Sequence, residues 1–159
     1  MSQPRTKINP AQVALQLAAQ QSLWRPLVRY DPLSRYYVRL AAERDFEAWL
    51  LTWVPGQGTE WHDHGGSAGA FAIVQGTLTE LHATVAPDRA PQIDPVTRVL
   101  PAGALRTFGR RHLHRVSNHD LEPAVSLHVY APALSAMNEY VRRGNELNLV
   151  VTQQVGVNW

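Results

Sequence analysis

The pattern of apolar positions along the chain changes near residue 36. Before it, apolar residues within 11–21 recur at the three- and four-residue spacing that forms one face of a helix. Asn9 can cap such a helix and Pro10 suits its first position, so a helix is predicted there. Asp31-Pro32 then interrupts the chain.

From residue 36 onward, short runs of branched and aromatic residues alternate with turns that contain glycine or proline. Many short strands at this spacing are typical of an antiparallel sandwich or barrel. The predicted strands are Tyr36–Leu40, Phe46–Val54, Ala70–Val74, Leu78–Val85, Val96–Leu100, His112–Val116, Val125–Tyr130 and Leu147–Thr152. We therefore predict an all-β fold, a jelly-roll β-barrel with a short α-helical N-terminal segment. Residues 1–159 would form a single domain, with the helical segment in 1–35 and the barrel in 36–159.

Composition and charge narrow the class of protein. A chain of 159 residues that is 45% hydrophobic can bury one core, which argues against disorder. No apolar run reaches the ~20 residues that span a bilayer, and the N-terminus has no apolar segment of a secretory signal. The net charge is only +2 and the arginines are scattered, so neither a nucleic-acid partner nor a membrane is expected. We expect a cytoplasmic protein; its oligomeric state stays open and is compatible with a monomer.

Two histidines that lie two residues apart, His62 and His64, are the first candidate metal ligands. In an extended segment such side chains point the same way, so both can reach one ion. Gly56 stands six positions before His62, and Gly76 stands twelve positions after His64. This spacing matches the first motif of the cupin superfamily, except that Gly69 stands where most cupins carry a glutamate ligand.

The second cupin motif supplies a third histidine. Pro101-Ala102-Gly103 is followed, after a longer spacer than usual, by His114 and then by Asn118. His112 would share a strand face with His114, but only His114 has an asparagine at the motif distance and is the predicted ligand. Three neutral imidazoles would leave a divalent ion its full charge, which favours an anionic ligand such as a thiolate. The other histidines are expected at the surface or in loops: His82, His112 and His119.

A longer segment narrows the resemblance to one family. Residues 122–132, read together with His62-Asp63-His64 and His114-Arg115-Val116, closely resemble the cysteine dioxygenase family, particularly its bacterial members. The resemblance implies a cupin barrel with a mononuclear Fe(II) site in which these three histidines hold the metal. It also implies O2-dependent oxidation of L-cysteine to cysteine sulfinic acid. Animal members have a cysteine at the Gly69 position, linked to a tyrosine; this chain has no cysteine, so a Cys-Tyr thioether cofactor cannot form.

The same resemblance implies catalytic and substrate-binding residues. Ser126, His128 and Tyr130 match a catalytic relay, and their alternate spacing would put them on one face of a strand, where they can hydrogen-bond in series. Tyr37-Val38-Arg39 matches the Tyr-x-Arg pattern of the family's carboxylate-binding arginine, with Arg35 as the local alternative. A guanidinium pairs with a carboxylate through two parallel hydrogen bonds. Arg39 and Tyr130 are therefore the predicted substrate-binding residues.

Two other interpretations of the function stay open. The substrate could be 3-mercaptopropionate or another thiol acid; family members that prefer it tend to carry glutamine in place of the arginine, so Arg39 favours cysteine. A non-redox cupin isomerase or binding module could use the same barrel. It would not need the Ser126-His128-Tyr130 series.

Overall fold

The computed structural model describes residues 7–154, in which two short helices precede eleven strands. The helices are α1 (Pro10–Ala19) and α2 (Gln21–Trp24), followed by a 3₁₀ turn at Arg25–Leu27. The strands are β1 (Tyr37–Ala42), β2 (Glu47–Trp53), β3 (Trp61–His62), β4 (Ala68–Gln75), β5 (Thr77–Ala86), β6 (Arg89–Pro101), β7 (Leu105–Phe108), β8 (Leu113–Ser117), β9 (Ala124–Ala131), β10 (Ala136–Arg143) and β11 (Glu146–Gln154). Neither described helix has the length and apolar character needed to cross a bilayer.

The predicted N-terminal helix is confirmed and packs on the outside of one sheet. The side chain of Asn9 accepts hydrogen bonds from the backbone N–H groups of Ala11 and Gln12, so it caps α1 as predicted. Ala14 is fully buried and packs against Ala70 and Val129 on β4 and β9. These small side chains let the helix lie close to the sheet.

Two antiparallel sheets form the jelly-roll barrel that the sequence predicts. The first has the strand order β1-β2-β9-β4-β7, and the second has the order β10-β11-β6-β5-β8-β3. Strand β3 pairs with both β8 and β10, which closes the second sheet on itself. Trp53, Phe71 and Leu78 are fully buried and belong to one apolar cluster to which both sheets contribute. The inner faces of the two sheets thus enclose the space in which the candidate site lies.

The sequence pattern does not predict β3, β7 and β10, and it predicts β6 too short. Strands β3 and β7 have two and four residues, too few to show alternation. Strand β10 carries Asn138 and Glu139 in its centre, so it does not read as an apolar strand. Strand β6 continues through Pro95, which has no N–H group to donate. The pairing with β5 is irregular between Leu81 and Ala83, so no ladder hydrogen bond from residue 95 is needed there.

Candidate active site

The three predicted metal ligands come together on the inner face of the second sheet. His62 on β3 pairs directly with His114 on β8, and directly opposed residues of antiparallel strands project to the same face. The ring of His64 lies 5.0 Å, between centroids, from each of the other two rings. All three side chains are buried, and one ligand nitrogen of each lies within 4.8 Å of the others.

Hydrogen bonds decide which nitrogen of His62 and of His114 faces the cluster. Nδ1 of His62 donates to the backbone carbonyl of Glu60 at 2.8 Å, and Nδ1 of His114 donates to the carboxylate of Glu80 at 2.8 Å. Carbonyl and carboxylate oxygens only accept, so each Nδ1 carries the hydrogen of its neutral ring. The two Nε2 atoms, which lie 3.1 Å apart, therefore face each other with their lone pairs.

Two facing lone pairs repel each other unless a cation lies next to both. Burial lowers the pKa of His62 and of His64 well below its usual range, and the neighbouring His114 adds to this effect. Burial also lowers the pKa of His114 to about 4, against the opposing effect of its hydrogen bond to Glu80. A proton is therefore not retained at pH 7, whereas three neutral imidazoles suit a divalent transition metal. The donor set of this chain fits a metal ion.

The structure has no room for a side chain at position 69, where most cupins carry a fourth ligand. A Cβ added to Gly69 would lie 2.5 Å from the backbone oxygen of Val129 and 2.6 Å from the ring of Phe108. Such distances are far inside van der Waals contact, so a larger residue would displace the ring or the strand. Position 69 therefore cannot supply a fourth ligand, and a metal ion held by the three histidines would keep coordination positions open for other molecules.

A buried carboxylate that the sequence motifs do not mark supports one of the ligands. Glu80 on β5 is fully buried, and besides His114 it accepts hydrogen bonds from Arg106 Nε at 2.6 Å and from His112 Nε2 at 3.3 Å. Burial alone would raise the pKa of Glu80, but the hydrogen bonds from His112, His114 and Arg106 outweigh it and hold the pKa well below its usual range. His112 stands in the loop just before β8, as predicted, but its half-buried ring belongs to this network and is not an ordinary surface group.

The sequence does contain one signal for Glu80, because it stands two positions after the buried Leu78 and so shares its inward face. A carboxylate that holds Nδ1 of a ligand histidine fixes the tautomer and the orientation of the ring. The removal of its charge is thus expected to affect both the metal and the fold.

Glu80→Gln is expected to weaken metal binding by roughly 10- to 100-fold, the usual scale for a residue that orients a ligand. It should also lower the free energy of unfolding by about 1–3 kcal/mol, because buried donors lose a charged acceptor. Competition with a chelator measures the first quantity and denaturant titration of the metal-free protein measures the second. Unchanged metal affinity together with lost stability would mean that Glu80 serves the fold alone.

The side chains of Ser126, His128 and Tyr130 on β9 form a buried hydrogen-bonded series, as the alternate spacing predicts. Nε2 of His128 lies 2.8 Å from Oγ of Ser126, and its Nδ1 lies 3.4 Å from the Tyr130 hydroxyl. Trp53 on β2 extends the series, because its indole N–H donates to Oγ of Ser126 at 2.9 Å. Burial lowers the pKa of His128 to about 3 and raises the pKa of Tyr130 above its usual value. Both side chains are therefore neutral at pH 7.

A cavity of about 330 Å³ opens beside the histidine cluster, and the relay faces it. His62 and His114 line the cavity together with His128 and Tyr130. Arg35 also lines it, with its guanidinium carbon 4.9 Å from the centroid of the Trp53 ring. Within residues 7–154, the Arg35 side chain forms no salt bridge. The cavity thus presents a guanidinium that is free to bind an anion.

The structure does not bring Arg39 into this cavity. Arg39 is exposed on the edge strand β1, and its guanidinium carbon lies 5.7 Å from the centroid of the Trp49 ring. Arg39 pairs with Trp49, which pairs in turn with His128, so the indole lies between Arg39 and the relay. Arg35 stands four positions before Arg39, a spacing that puts two residues on the same face of a strand, but Arg35 precedes β1. Of the two arginines considered from the sequence, the alternative, Arg35, lines the same cavity as His62 and His114.

Comparison with solved structures identifies the class of fold. A Thermus thermophilus protein aligns with a TM-score of 0.57 at 23% identity, over 69% of this chain and 93% of its own. A cupin superfamily protein of Desulfitobacterium hafniense aligns with a TM-score of 0.55 at 12% identity, over 69% of this chain and 87% of its own. At such identities the likeness shows the fold alone. The fold is that of the cupins, and its interior holds a cluster of three histidines that could bind a metal ion.

Sequence comparison narrows the class to a family. The family model for cysteine dioxygenase type I matches residues 5–143, and the chain belongs to this family. Cysteine dioxygenase type 1 of Bos taurus is 30% identical over 133 residues, and that of Danio rerio is 32% identical over 134 residues. Each alignment covers 80% of this chain, which spans 66% of the length of these relatives. The family implies iron as the metal.

Proposed function

We propose that the chain is one cupin domain and acts as an Fe(II)- and O2-dependent thiol dioxygenase, with L-cysteine as substrate and cysteine sulfinic acid as product. The observation that carries the proposal is the cluster of three neutral, buried histidines, two of which, His62 and His114, line a cavity that also presents a guanidinium and a phenol. Membership of the cysteine dioxygenase family supports it. The cytoplasm remains the proposed location.

His62, His64 and His114 would hold the iron through the nitrogens that face the cluster. When bound there, Fe(II) supplies the redox chemistry by which a thiolate reacts with O2. Both oxygen atoms end on sulfur, so the reaction needs no external reductant. The chain's own contribution is to place the thiol acid in one orientation and to keep bulk water away from its sulfur.

Arg35 is the residue that we propose for the substrate carboxylate. Burial lowers the pKa of Arg35 from its usual value, against the opposing effects of Tyr130 and Tyr37. The group nevertheless stays charged at pH 7, because an arginine is protonated throughout the range in which proteins are folded. A charged guanidinium without an ion-pair partner gains most from a carboxylate that enters the cavity, and the fork geometry allows two parallel hydrogen bonds.

The hydrogen-bonded series on β9 would aim the Tyr130 hydroxyl at the substrate. The Trp53 indole can only donate, and in the described part of the chain Oγ of Ser126 forms hydrogen bonds only with this indole and with Nε2 of His128. The serine hydrogen is therefore donated to His128 Nε2, which leaves the histidine hydrogen on Nδ1. Nδ1 then donates to the Tyr130 oxygen. The phenol hydrogen is left to donate into the cavity.

Tyr130→Phe is expected to lower turnover of L-cysteine by roughly 10- to 100-fold while the iron content stays near that of the wild type. The phenyl ring keeps the packing but removes the hydroxyl that donates into the cavity. Iron analysis of the purified variant and initial rates of O2 consumption measure the two quantities. Full activity in Tyr130→Phe would assign the series a structural role.

The proposed function is tested with protein loaded anaerobically with Fe(II). L-Cysteine, 3-mercaptopropionate and cysteamine are each supplied, and O2 consumption and sulfinate formation are measured. Cysteine is expected to be the best substrate, and cysteamine a poor one because it lacks the carboxylate. A higher kcat/KM for 3-mercaptopropionate would move the proposal to the thiol acid. No consumption with any thiol would favour the isomerase or binding module.

A further inference from the structure

We propose that Asp63 is a positioning residue for the metal ligand His64: its carboxylate, held by Asn138 and Tyr140 of β10, fixes the segment from which His64 reaches the cluster. The inference rests on the proposed function, because it takes His64 as a ligand of the iron. It assigns a role to the residue between the two histidines of the first motif, which the motif spacing leaves unspecified.

His64 is the ligand that the strands support least. His62 lies in β3 and pairs with His114 of β8, but β3 ends at His62, so His64 stands outside the ladder. Nδ1 of His62 and Nδ1 of His114 each have a hydrogen-bond partner, whereas Nδ1 of His64 is buried and has none in the described part of the chain. The rings of Phe108 and Tyr130 lie against that of His64, with centroids 4.6 and 5.2 Å away. The position of this ligand therefore depends on packing and on how its backbone is held.

Asp63 holds that backbone on both sides of His64. Its Oδ1 accepts a hydrogen bond from the N–H of Gly65 at 2.9 Å, so the residues before and after His64 are tied to each other. Its Oδ2 accepts from the Tyr140 hydroxyl at 2.7 Å, and the side-chain amide of Asn138 donates to both oxygens at 2.9 and 3.1 Å. The backbone N–H of Asp63 also donates to the carbonyl of Asn138 at 3.0 Å. These contacts fix the segment with His64 to the centre of β10.

The Asp63 carboxylate lies away from the substrate cavity. Neighbouring residues of an extended segment point to opposite faces, so Asp63 points away from the cluster that His62 and His64 enter. Asp63, Asn138 and Tyr140 line a second cavity of about 340 Å³, which none of the three cluster histidines lines. Asp63 therefore acts on the metal site through His64, without contact to the substrate.

The number of acceptors explains why a carboxylate suits this position. An ionised aspartate accepts through both oxygens, whereas an asparagine accepts through one and donates through the other position. Asp63→Asn would thus keep an acceptor for Gly65 but lose the one that faces the Tyr140 hydroxyl. Hydrogen bonds to an ionised acceptor are also stronger than those between neutral groups. The two substitutions Asp63→Ala and Asp63→Asn therefore remove different shares of the same support.

Asp31→Ala provides the matched control for the Asp63 variants. Asp31 is also half-buried, and its Oδ1 accepts from the backbone N–H of Leu33, two residues on, at 2.8 Å. It lines neither cavity, so its variant matches the loss of charge and of a local turn contact. Fe(II) affinity is measured anaerobically by competition with a chelator. Denaturant titration of each metal-free protein shows that it is folded.

Asp63→Ala is expected to weaken Fe(II) binding by roughly 10- to 100-fold, the usual scale for a residue that orients a ligand. Asp63→Asn should lose less, and Asp31→Ala should bind Fe(II) as the wild type does. Wild-type Fe(II) affinity in a folded Asp63→Ala variant would overturn the proposal, and so would an equal loss in Asp31→Ala.

NMR spectra of the metal-free protein with 15N-labelled histidine rings separate positioning from a general effect on the fold. In Asp63→Ala, the ring signals of His64 should broaden, because the ring is no longer held in one position. The ring signals of His82, which pairs with Asp94 through its side chain, should stay unchanged. Equal broadening of both sets of signals, or no change in those of His64, would contradict the role of Asp63.

Tyr140→Phe keeps the proposal testable even if Asp63→Ala does not fold, because it removes a single hydroxyl. It should weaken Fe(II) binding about two- to tenfold, the scale of one hydrogen bond. Tyr30→Phe is its control, since the Tyr30 hydroxyl accepts from Gln75 at 2.9 Å and Tyr30 lines neither cavity. Equal Fe(II) affinities of the two variants would overturn the proposal. Weaker Fe(II) binding in the Asp63 and Tyr140 variants of a protein that forms no sulfinate from any thiol would contradict only the dioxygenase function.

Discussion

Alanine at position 62, 64 or 114 is expected to strip most of the iron from the protein and to lower turnover by more than about 100-fold, beyond the scale of residues that only orient ligands. Each change removes one of three ligand nitrogens from a buried cluster in which the protein supplies no fourth ligand at position 69. Iron content after anaerobic loading and desalting, measured beside O2 consumption, checks the prediction.

His82→Ala provides the matched control for these variants. His82 on β5 is half-buried and lies 3.1 Å from the carboxylate of Asp94, in a contact away from the cavity, so its loss should leave the iron content near normal. His112→Ala should also retain iron. The ring of His112 packs against that of His114 and its Nε2 is bonded to Glu80, but His112 is not one of the three clustered ligands. If His112→Ala loses its iron while His114→Ala keeps it, the assignment of the third ligand is wrong.

Arg35→Ala is expected to lower kcat/KM for L-cysteine. The loss of transition-state stabilisation should be about 2–5 kcal/mol, the scale for truncating one side of a desolvated charge pair. The variant removes the guanidinium that we propose for the substrate carboxylate. Its effect on cysteamine, which has no carboxylate, should be far smaller. Steady-state kinetics with both substrates measure this difference.

Arg39→Ala is the matched control, because Arg39 also stacks on a tryptophan ring and stands four positions away. We expect it to retain nearly all activity, since Arg39 is exposed and does not line the cavity. A large loss of activity in Arg39→Ala with little change in Arg35→Ala would mean that Arg39 binds the substrate carboxylate, as the Tyr-x-Arg pattern suggests. Equal losses on cysteine and cysteamine in Arg35→Ala would assign Arg35 a structural role.

The histidine cluster could be predicted from the sequence because the two cupin motifs mark its members by their spacing. His62 and His64 stand two positions apart, and the motif spacing singles out His114 over His112. The structure brings these three side chains together. The relay could be predicted from local geometry, because alternate residues of one strand share a face in any fold.

The Tyr-x-Arg pattern favoured Arg39 over Arg35, but strand periodicity could not separate them, because residues four positions apart share a strand face. Their environments differ only through other strands, where Trp53 lies beside Arg35 and Trp49 lies beside Arg39.

The most direct test of the proposed function is the fate of isotopically labelled O2. Protein loaded anaerobically with Fe(II) is mixed with L-cysteine and 18O2, and the products are analysed by mass spectrometry. We predict cysteine sulfinic acid with both of its new oxygen atoms labelled, and little such product from a His114→Ala control. Consumption of O2 that yields only cystine, or a sulfinate with one labelled oxygen, would contradict the account.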